Sequence, residues 1–430
     1  MDYQARLLRA IPGGAHTYSR GFDQYPLNAP KILKSGKGAY TYDNFGNEFL
    51  DYGMALRAIN LGYANDTVNK AAWKQIENGN NLTRASMIEL EAAELLIDMI
   101  DSVDMVKFTK NGSTATTAAI KLSRAYTGRQ VIARCQDHPF FSYDDWFIGS
   151  TEMKKGVLEK DVKNTKLFGY NDINSLKSLF EEYPNEIACV ILEPSATEHP
   201  KDNFLQKVKQ LCNEKGAVFV LDEMITGFRW HMKGAQHYYK VEADLCTFGK
   251  AMANGFSVAA VAGKREIMEL GSIEFEGRER LFLLSTTHGA EMSGLGAFVE
   301  TMRYMQKNDV VGHIWDYGRK LINMLNEIAK DFNLEKNFIA GGVECSPYYL
   351  TFDKLGRNSL GLRTLFSQEM VKNGVLMPWI ALSYSHGEKE LIKTKLAITK
   401  TFEVYKKAVE NGFEKYLDGD VIKPVFRKYN

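Results

Sequence analysis

The sequence predicts an α/β protein whose large domain carries a mostly parallel, helix-flanked sheet. Three observations point there. From about residue 66, helical stretches alternate with short apolar runs, the pattern of strands joined by helical crossovers. The runs Val131–Ala133, Ile187–Leu192, Ala217–Leu221, Ala259–Ala262 and Leu281–Leu284 are continuously apolar, as expected of strands covered on both faces. Polar residues directly follow several of them: Glu193, the pair Asp222 and Glu223, and Ser285–Thr287. In open α/β sheets, ligands sit beyond the carboxyl ends of the strands.

The elements follow in order. Residues 1–60 are turn-rich, with Gly13-Gly14, Gly36–Gly38 and Asp43–Gly46 around short runs such as Ala39–Tyr42, and read as a small meander. Residues 87–100 are rich in helix formers. After the turn at Asn111-Gly112 a second helix is expected, closed by Gly128. The last third returns to mixed helical and turn-rich sequence, and a second small lobe is expected to begin near residue 313. The expected division is therefore 1–60, 61–312 and 313–430.

Composition narrows the function. The 430 residues are 45% hydrophobic and 25% charged, enough to build a sizeable core and too apolar for a disordered chain. Lys+Arg 54 against Asp+Glu 53 leaves a net charge of +1, which supplies no global field for a nucleic acid. Five cysteines are well separated, form no C-x-x-C pair and do not cluster with the eight histidines, so neither a disulfide framework nor a metal site is expected. No segment approaches the ~20 apolar residues of a bilayer span, and the N-terminus lacks the apolar core of a signal peptide. The expected compartment is the cytoplasm.

No G-x-G-x-x-G follows a strand, and neither a P-loop nor H-E-x-x-H occurs. Gly255–Ala259 comes close to a nucleophile elbow but ends in Ala and precedes a strand. Four local features remain. Lys250 follows a short apolar segment and precedes small residues, a setting in which a desolvated amine can form a Schiff base; most lysines are instead solvated surface groups. Asp222 ends a buried strand, where a carboxylate can keep a pyridine nitrogen protonated or cap a turn. Lys110–Thr114 opens a helix with a glycine and hydroxyls, equally a phosphate cradle or an ordinary N-cap. Ser285–Gly289 is a hydroxyl cluster that suits a phosphate or a polar loop.

Together these segments resemble the class-III, fold-type I aminotransferases that use pyridoxal 5′-phosphate (PLP), in the glutamate-1-semialdehyde aminomutase-like branch. The resemblance spans nearly the whole chain. Ile11–Phe22, Gly38–Asp43, Phe49–Tyr52, Val218–Arg229 and Asp244–Lys250 carry it. It implies a small α+β domain built from both termini and a homodimer with shared active sites. It also implies PLP contacts by Asn111, Gly112, Ser113, His138, Glu193, Asp222, Met224, Lys250 and Thr286. Lys250 would bind the cofactor covalently and shuttle a proton, Asp222 would pair with the pyridine nitrogen, and Thr286 would reach the phosphate of the neighbouring subunit. Arg20 matches the arginine that meets the substrate carboxylate.

Three departures lie among the matched motifs. Lys110–Ala115 replaces Asn-Ser-Gly-Thr-Glu-Ala. His138–Phe140 replaces Tyr-His-Gly, which makes His138 either a ring-stacking group or a structural histidine. Ala55–Arg57 replaces Ser-Trp-Gly, removing an aromatic and adding a cation. Arg20 and Arg57 argue for an anionic carbonyl acceptor, with an amino acid, glutamate, as donor. Asp51–Arg57 with Asp137–Ser142 resembles a subgroup associated with surface-glycan sugars. An aminomutase and a non-catalytic binding protein are the alternatives.

Overall fold

The computed structural model describes residues 2–429. The chain forms two compact units: one comprises residues up to Asn65 with Gly312–Arg427, the other Asp66–Val311 with the last few residues.

In the first unit, β1 (Leu33–Lys37), β2 (Tyr40–Asp43) and β3 (Glu48–Asp51) form an antiparallel meander. Its turns are built as the residue types suggest. Gly38 has a φ of 59° between β1 and β2, and Asp43 Oδ1 accepts the N–H groups of Phe45 (2.8 Å) and Asn47 (2.9 Å) before β3, an Asx-type closure.

The second unit holds a seven-stranded sheet. Its strands are β4 (Met105–Thr109), β5 (Val131–Cys135), β6 (Thr165–Phe168), β7 (Ile187–Leu192), β8 (Val218–Asp222), β9 (Leu245–Phe248) and β10 (Ala259–Gly263), in the spatial order β4-β10-β9-β8-β7-β5-β6. β6, β5, β7, β8 and β9 are parallel; β10 runs antiparallel to both β9 and β4. Every residue of β5, β7, β8, β9 and β10 is buried, which is why continuous apolar runs marked most of them.

Elsewhere in the first unit, β11 (Phe338–Val343) and β12 (Ser346–Thr351) form a hairpin, and β13 (Val375–Leu376) adds in parallel to β3.

The helix Met87–Met99 starts at a capping box between Ser86 and Glu89. The helix Gly112–Thr127 is capped by Asn111, and Gly128 ends it in the left-handed region at φ 68°.

One expected strand is absent. Leu281–Leu284 has no strand or helix assignment. Its residues split between environments instead of lying flat in a sheet: Leu283 is buried while Phe282 is 64% exposed. The Leu281 N–H donates to Leu270 O at 3.0 Å, and Lys121 Nζ donates to Phe282 O. The apolar run therefore anchors a loop through alternate side chains. Ser285–Thr287 consequently follows a loop, and its place beyond a strand end is withdrawn. Conversely, β4, β6 and β9 were not recognised as strands. β4 and β6 are edge strands with mixed burial, and β9 reads in sequence only as the short apolar segment before Lys250.

Candidate active site

Strand order brings the two chemically distinctive residues to one place. β8 and β9 are adjacent and parallel, with Asp222 opposite Thr247 in the register. Asp222 is the last residue of β8, and Lys250 lies just past the end of β9. Asp222 is 2% exposed. Its Oδ1 accepts the Met224 N–H at 3.0 Å and the Thr247 hydroxyl at 2.9 Å. Burial pushes its pKa up, while the Lys250 charge and these two donors oppose the rise, so the amine and the carboxylate act on each other directly.

Lys250 itself sits at φ 46°, a left-handed conformation that costs a non-glycine residue energy. The chain turns there from the extended Gly249 into the short helix Lys250–Ala253.

The neighbouring carboxylate has another occupation. Glu223, 1% exposed, accepts the Thr226 hydroxyl (2.8 Å) and the N–H groups of Ala235 (2.7 Å) and Gln236 (2.9 Å). Its oxygens are committed to holding the turn after β8 and the helix start at Gly234.

The start of the helix Gly112–Thr127 is arranged for an anion. Asn111 Oδ1 accepts from Thr114 N (2.9 Å) and the Thr114 hydroxyl (3.0 Å), so this side chain is spent as the N-cap. The N–H groups of Gly112 and Ser113 precede the first intrahelical acceptors. Ser113 Oγ accepts from Tyr143 N at 3.1 Å, which leaves its hydroxyl hydrogen to donate. Met224 lies against this turn: a Cβ on Gly112 would come within 2.9 Å of Met224 Sδ, and one on Gly249 within 2.6 Å. With Ala115 and Ala259, Met224 forms a small apolar cluster.

His138 and Glu193 are coupled on the other side of β8. The Glu193 N–H donates to His138 Nδ1 at 2.9 Å. His138 is 2% exposed; burial and the Arg134 charge lower its pKa to about 3. The ring is therefore neutral with its proton on Nε2, and Nε2 is a buried atom with no partner among the described residues. Phe141 and Tyr170 pack on the ring, with centroids at 6.0 and 5.0 Å.

Thr286 is exposed, in the loop before Gly289. Arg20 ends the short helix Tyr18–Arg20, and Arg57 closes the turn Met54–Arg57; both belong to the first unit. Sequence reading missed Thr247. Nothing marks it along the chain, because its contact with Asp222 arises only from strand pairing.

These residues fit a phosphorylated pyridine aldehyde. A helix start with two N–H donors suits the phosphate, and a buried carboxylate near an amine suits the ring nitrogen and the aldehyde.

Comparison with known proteins agrees. The profile of the family Aminotransferase class-III matches residues 23–341. The glutamate-1-semialdehyde 2,1-aminomutase of Francisella philomiragia is 32% identical over 419 residues, covering 92% of this chain and 95% of that protein. Among solved structures, the FumI protein of Sphingopyxis sp. MTA144 in its PLP internal aldimine form superposes with a TM-score of 0.87 at 24% identity, covering 95% of this chain and 97% of that one. A glutamate-1-semialdehyde aminomutase from Pseudomonas aeruginosa PAO1 in complex with PMP gives 0.81 at 17%, covering 93% of both chains. With its fold-type I sheet and a family match over most of its length, the chain belongs to the class-III aminotransferases, a family of PLP-dependent enzymes.

Proposed function

We propose that this enzyme moves an amino group from glutamate to an anionic carbonyl acceptor, in a ping-pong cycle. The placement of Asp222 and Lys250 at the ends of adjacent strands carries the reading. PLP, when bound, supplies an electron sink for the pair of electrons left on the substrate carbon. The Gly112 and Ser113 N–H groups and the Ser113 hydroxyl hold the phosphate, while Asn111 keeps that helix start in shape. Asp222 Oδ holds a proton on the pyridine nitrogen, and the Thr247 and Met224 donors keep the carboxylate oriented. Lys250 Nζ would hold the cofactor through its aldehyde and, when released from it, would take and return the substrate-carbon proton. Met224, His138 and Glu193 form the walls around the ring.

Arg20 and Arg57 are proposed to bind carboxylates of donor and acceptor. The exposure of Thr286 is consistent with reaching the phosphate of a partner subunit, in a homodimer with shared sites. The acceptor class we favour is a sugar acid such as 8-oxo-3-deoxy-octulosonate, in lipopolysaccharide or related surface-glycan synthesis, with the enzyme acting in the cytoplasm. Among the described residues no helix is long and apolar enough to cross a membrane.

The relatives named glutamate-1-semialdehyde 2,1-aminomutase favour a second reading, transfer within one molecule. Glutamate alone separates the two. Loss of the visible absorbance with release of 2-oxoglutarate supports the transferase, and persistent inertness refutes it. Lys250→Ala must lose the colour that borohydride fixes; an unchanged colour would sink any catalytic role for this lysine.

A further inference from the structure

The first unit carries a half-open cavity of about 590 Å³, and among its largely apolar lining stand cations, hydroxyls and a buried carboxylate: Arg20, Lys31, Tyr25, Thr41, Asp51 and Tyr63. Ala55 and Leu56 also line it, and they belong to a turn of the hand that L-residues avoid. Met54, Ala55, Leu56 and Arg57 have φ of 39°, 48°, 63° and 66°. In that hand each Cβ crowds the following carbonyl, so four such residues in succession must be held by their surroundings.

The holding groups are identifiable. Asp51 Oδ1 accepts the Gly53 N–H at 2.6 Å. The Tyr63 hydroxyl donates to Asp51 Oδ2 at 2.7 Å and accepts the Ala55 N–H at 2.9 Å. Trp379 Nε1–H donates to Gly53 O at 3.1 Å. Asp51 is 3% exposed, so the Tyr63 hydroxyl ties the turn to an anchor buried in the fold. Arg20 lines the same cavity, and its charge opposes the rise that burial imposes on the Tyr25 and Tyr63 hydroxyls. Thr41 Oγ1 is buried with no partner among the described residues.

We propose that Tyr63, backed by Asp51, is a positioning residue that sets the Ala55–Leu56 wall of this cavity and so selects acceptors carrying both an acid group and several hydroxyls. The proposal rests on the reading of Arg20 and Arg57 as substrate contacts. Arg20 and Lys31 supply the charge for an acid. Tyr63 and Asp51 are committed to holding the turn, so the hydroxyls that line the cavity at Tyr25 and Thr41 are the groups that donate to and accept from those of a substrate. A site built to hydrogen-bond hydroxyls discriminates strongly against an analogue that lacks them.

The test compares wild-type holoenzyme with Tyr63→Phe, using D-glucuronate (acid with hydroxyls), succinic semialdehyde (acid alone) and D-glyceraldehyde (hydroxyls alone) as acceptors. The glutamate step is followed separately by loss of visible absorbance. Wild type is expected to prefer glucuronate. Tyr63→Phe is expected to lower kcat/KM for glucuronate about tenfold, mainly through KM, to depress the glutamate step far less, and to narrow the preference. An unchanged preference overturns the proposal, and so does an equal loss in both half-reactions, which general destabilisation would produce. Calorimetric titration of glucuronate reads the cavity independently of turnover. If glutamate is inert but glucuronate binds wild type and not Tyr63→Phe, the aminotransferase reading fails and the selectivity of the cavity stands. Equal binding by both proteins, or binding by neither, overturns it.

Discussion

Asp222 and Glu223 are adjacent, buried and acidic, yet their surroundings predict opposite consequences for the same change of charge. In Glu223→Gln the amide oxygen can keep the bonds made by Oε2, from the Thr226 hydroxyl and Ala235 N–H, but its NH2 then faces the Gln236 N–H that Oε1 accepted. Two donors are left facing each other. At about 1–3 kcal/mol for each buried group left unsatisfied, the loss should be about 2–4 kcal/mol, or a fall in Tm of about 4–8 °C for a unit of this size.

In Asp222→Asn the oxygen at Oδ1 keeps both of its donors and a buried charge disappears. Stability should stay within about 1 kcal/mol of wild type. Turnover should fall by about 100-fold or more, because a neutral amide cannot hold a proton on the ring nitrogen. Thermal unfolding followed by circular dichroism, with the glutamate step measured on the same preparations, reads both quantities.

Linkage adds a pH signature. Burial raises the Asp222 pKa above the ordinary carboxylate value, so the stability tied to it is present below that value and is lost as pH rises through the folded pKa. Asp222→Asn should therefore gain on wild type as pH rises from about 4. A strongly destabilised Asp222→Asn beside a silent Glu223→Gln would reverse the assignment and refute the reasoning.

Other expectations follow from the same geometry. Gly112→Ala should weaken PLP binding, since its Cβ meets Met224 Sδ at 2.9 Å and overpacking costs about 1–3 kcal/mol. Adding Met224→Ala should recover part of the loss, giving a coupling above about 0.5 kcal/mol in cofactor titrations; additive losses would count against the contact. His138, with a pKa lowered to about 3, contributes stability that is present above its ordinary value near 6.5 and is lost as pH falls toward 3. His138→Gln should flatten that decline, where the group's slope reaches up to about 1.4 kcal/mol per pH unit. An unaltered acid limb in urea unfolding would show that the ring is not held neutral.

The parts of the fold that were legible are those where local chemistry and burial agree. β7 throughout and β8 up to its final Asp222 are apolar because both faces are covered, and the helix from Gly112 announces itself by its cap and its Gly128 stop. Leu281–Leu284 misled for a definite reason: four apolar residues fit a buried strand as well as a loop pinned by Leu283. β9 reads in sequence only as the short apolar segment before Lys250, and its one polar residue, Thr247, is the residue that donates to Asp222. That polar residue is thus part of the candidate site.

Composition and periodicity are properties of neighbours along the chain, and from them follows the α/β class; the resemblance to PLP aminotransferases, and the roles it implies for the carboxylate and the lysine, rest on the matched motifs. Separating Asp222 from Glu223 required the fold. Both residues look alike in sequence, and only the pairing of β8 with β9 and the turn at Gly234 decide which carboxylate faces Lys250 and which is consumed by backbone N–H groups. The left-handed turn at Met54–Arg57 is likewise invisible in a stretch without glycine. It exists because Asp51 and Tyr63, which flank it in sequence, and Trp379, from the far end of the chain, converge on it, and residue type along the stretch does not encode that convergence.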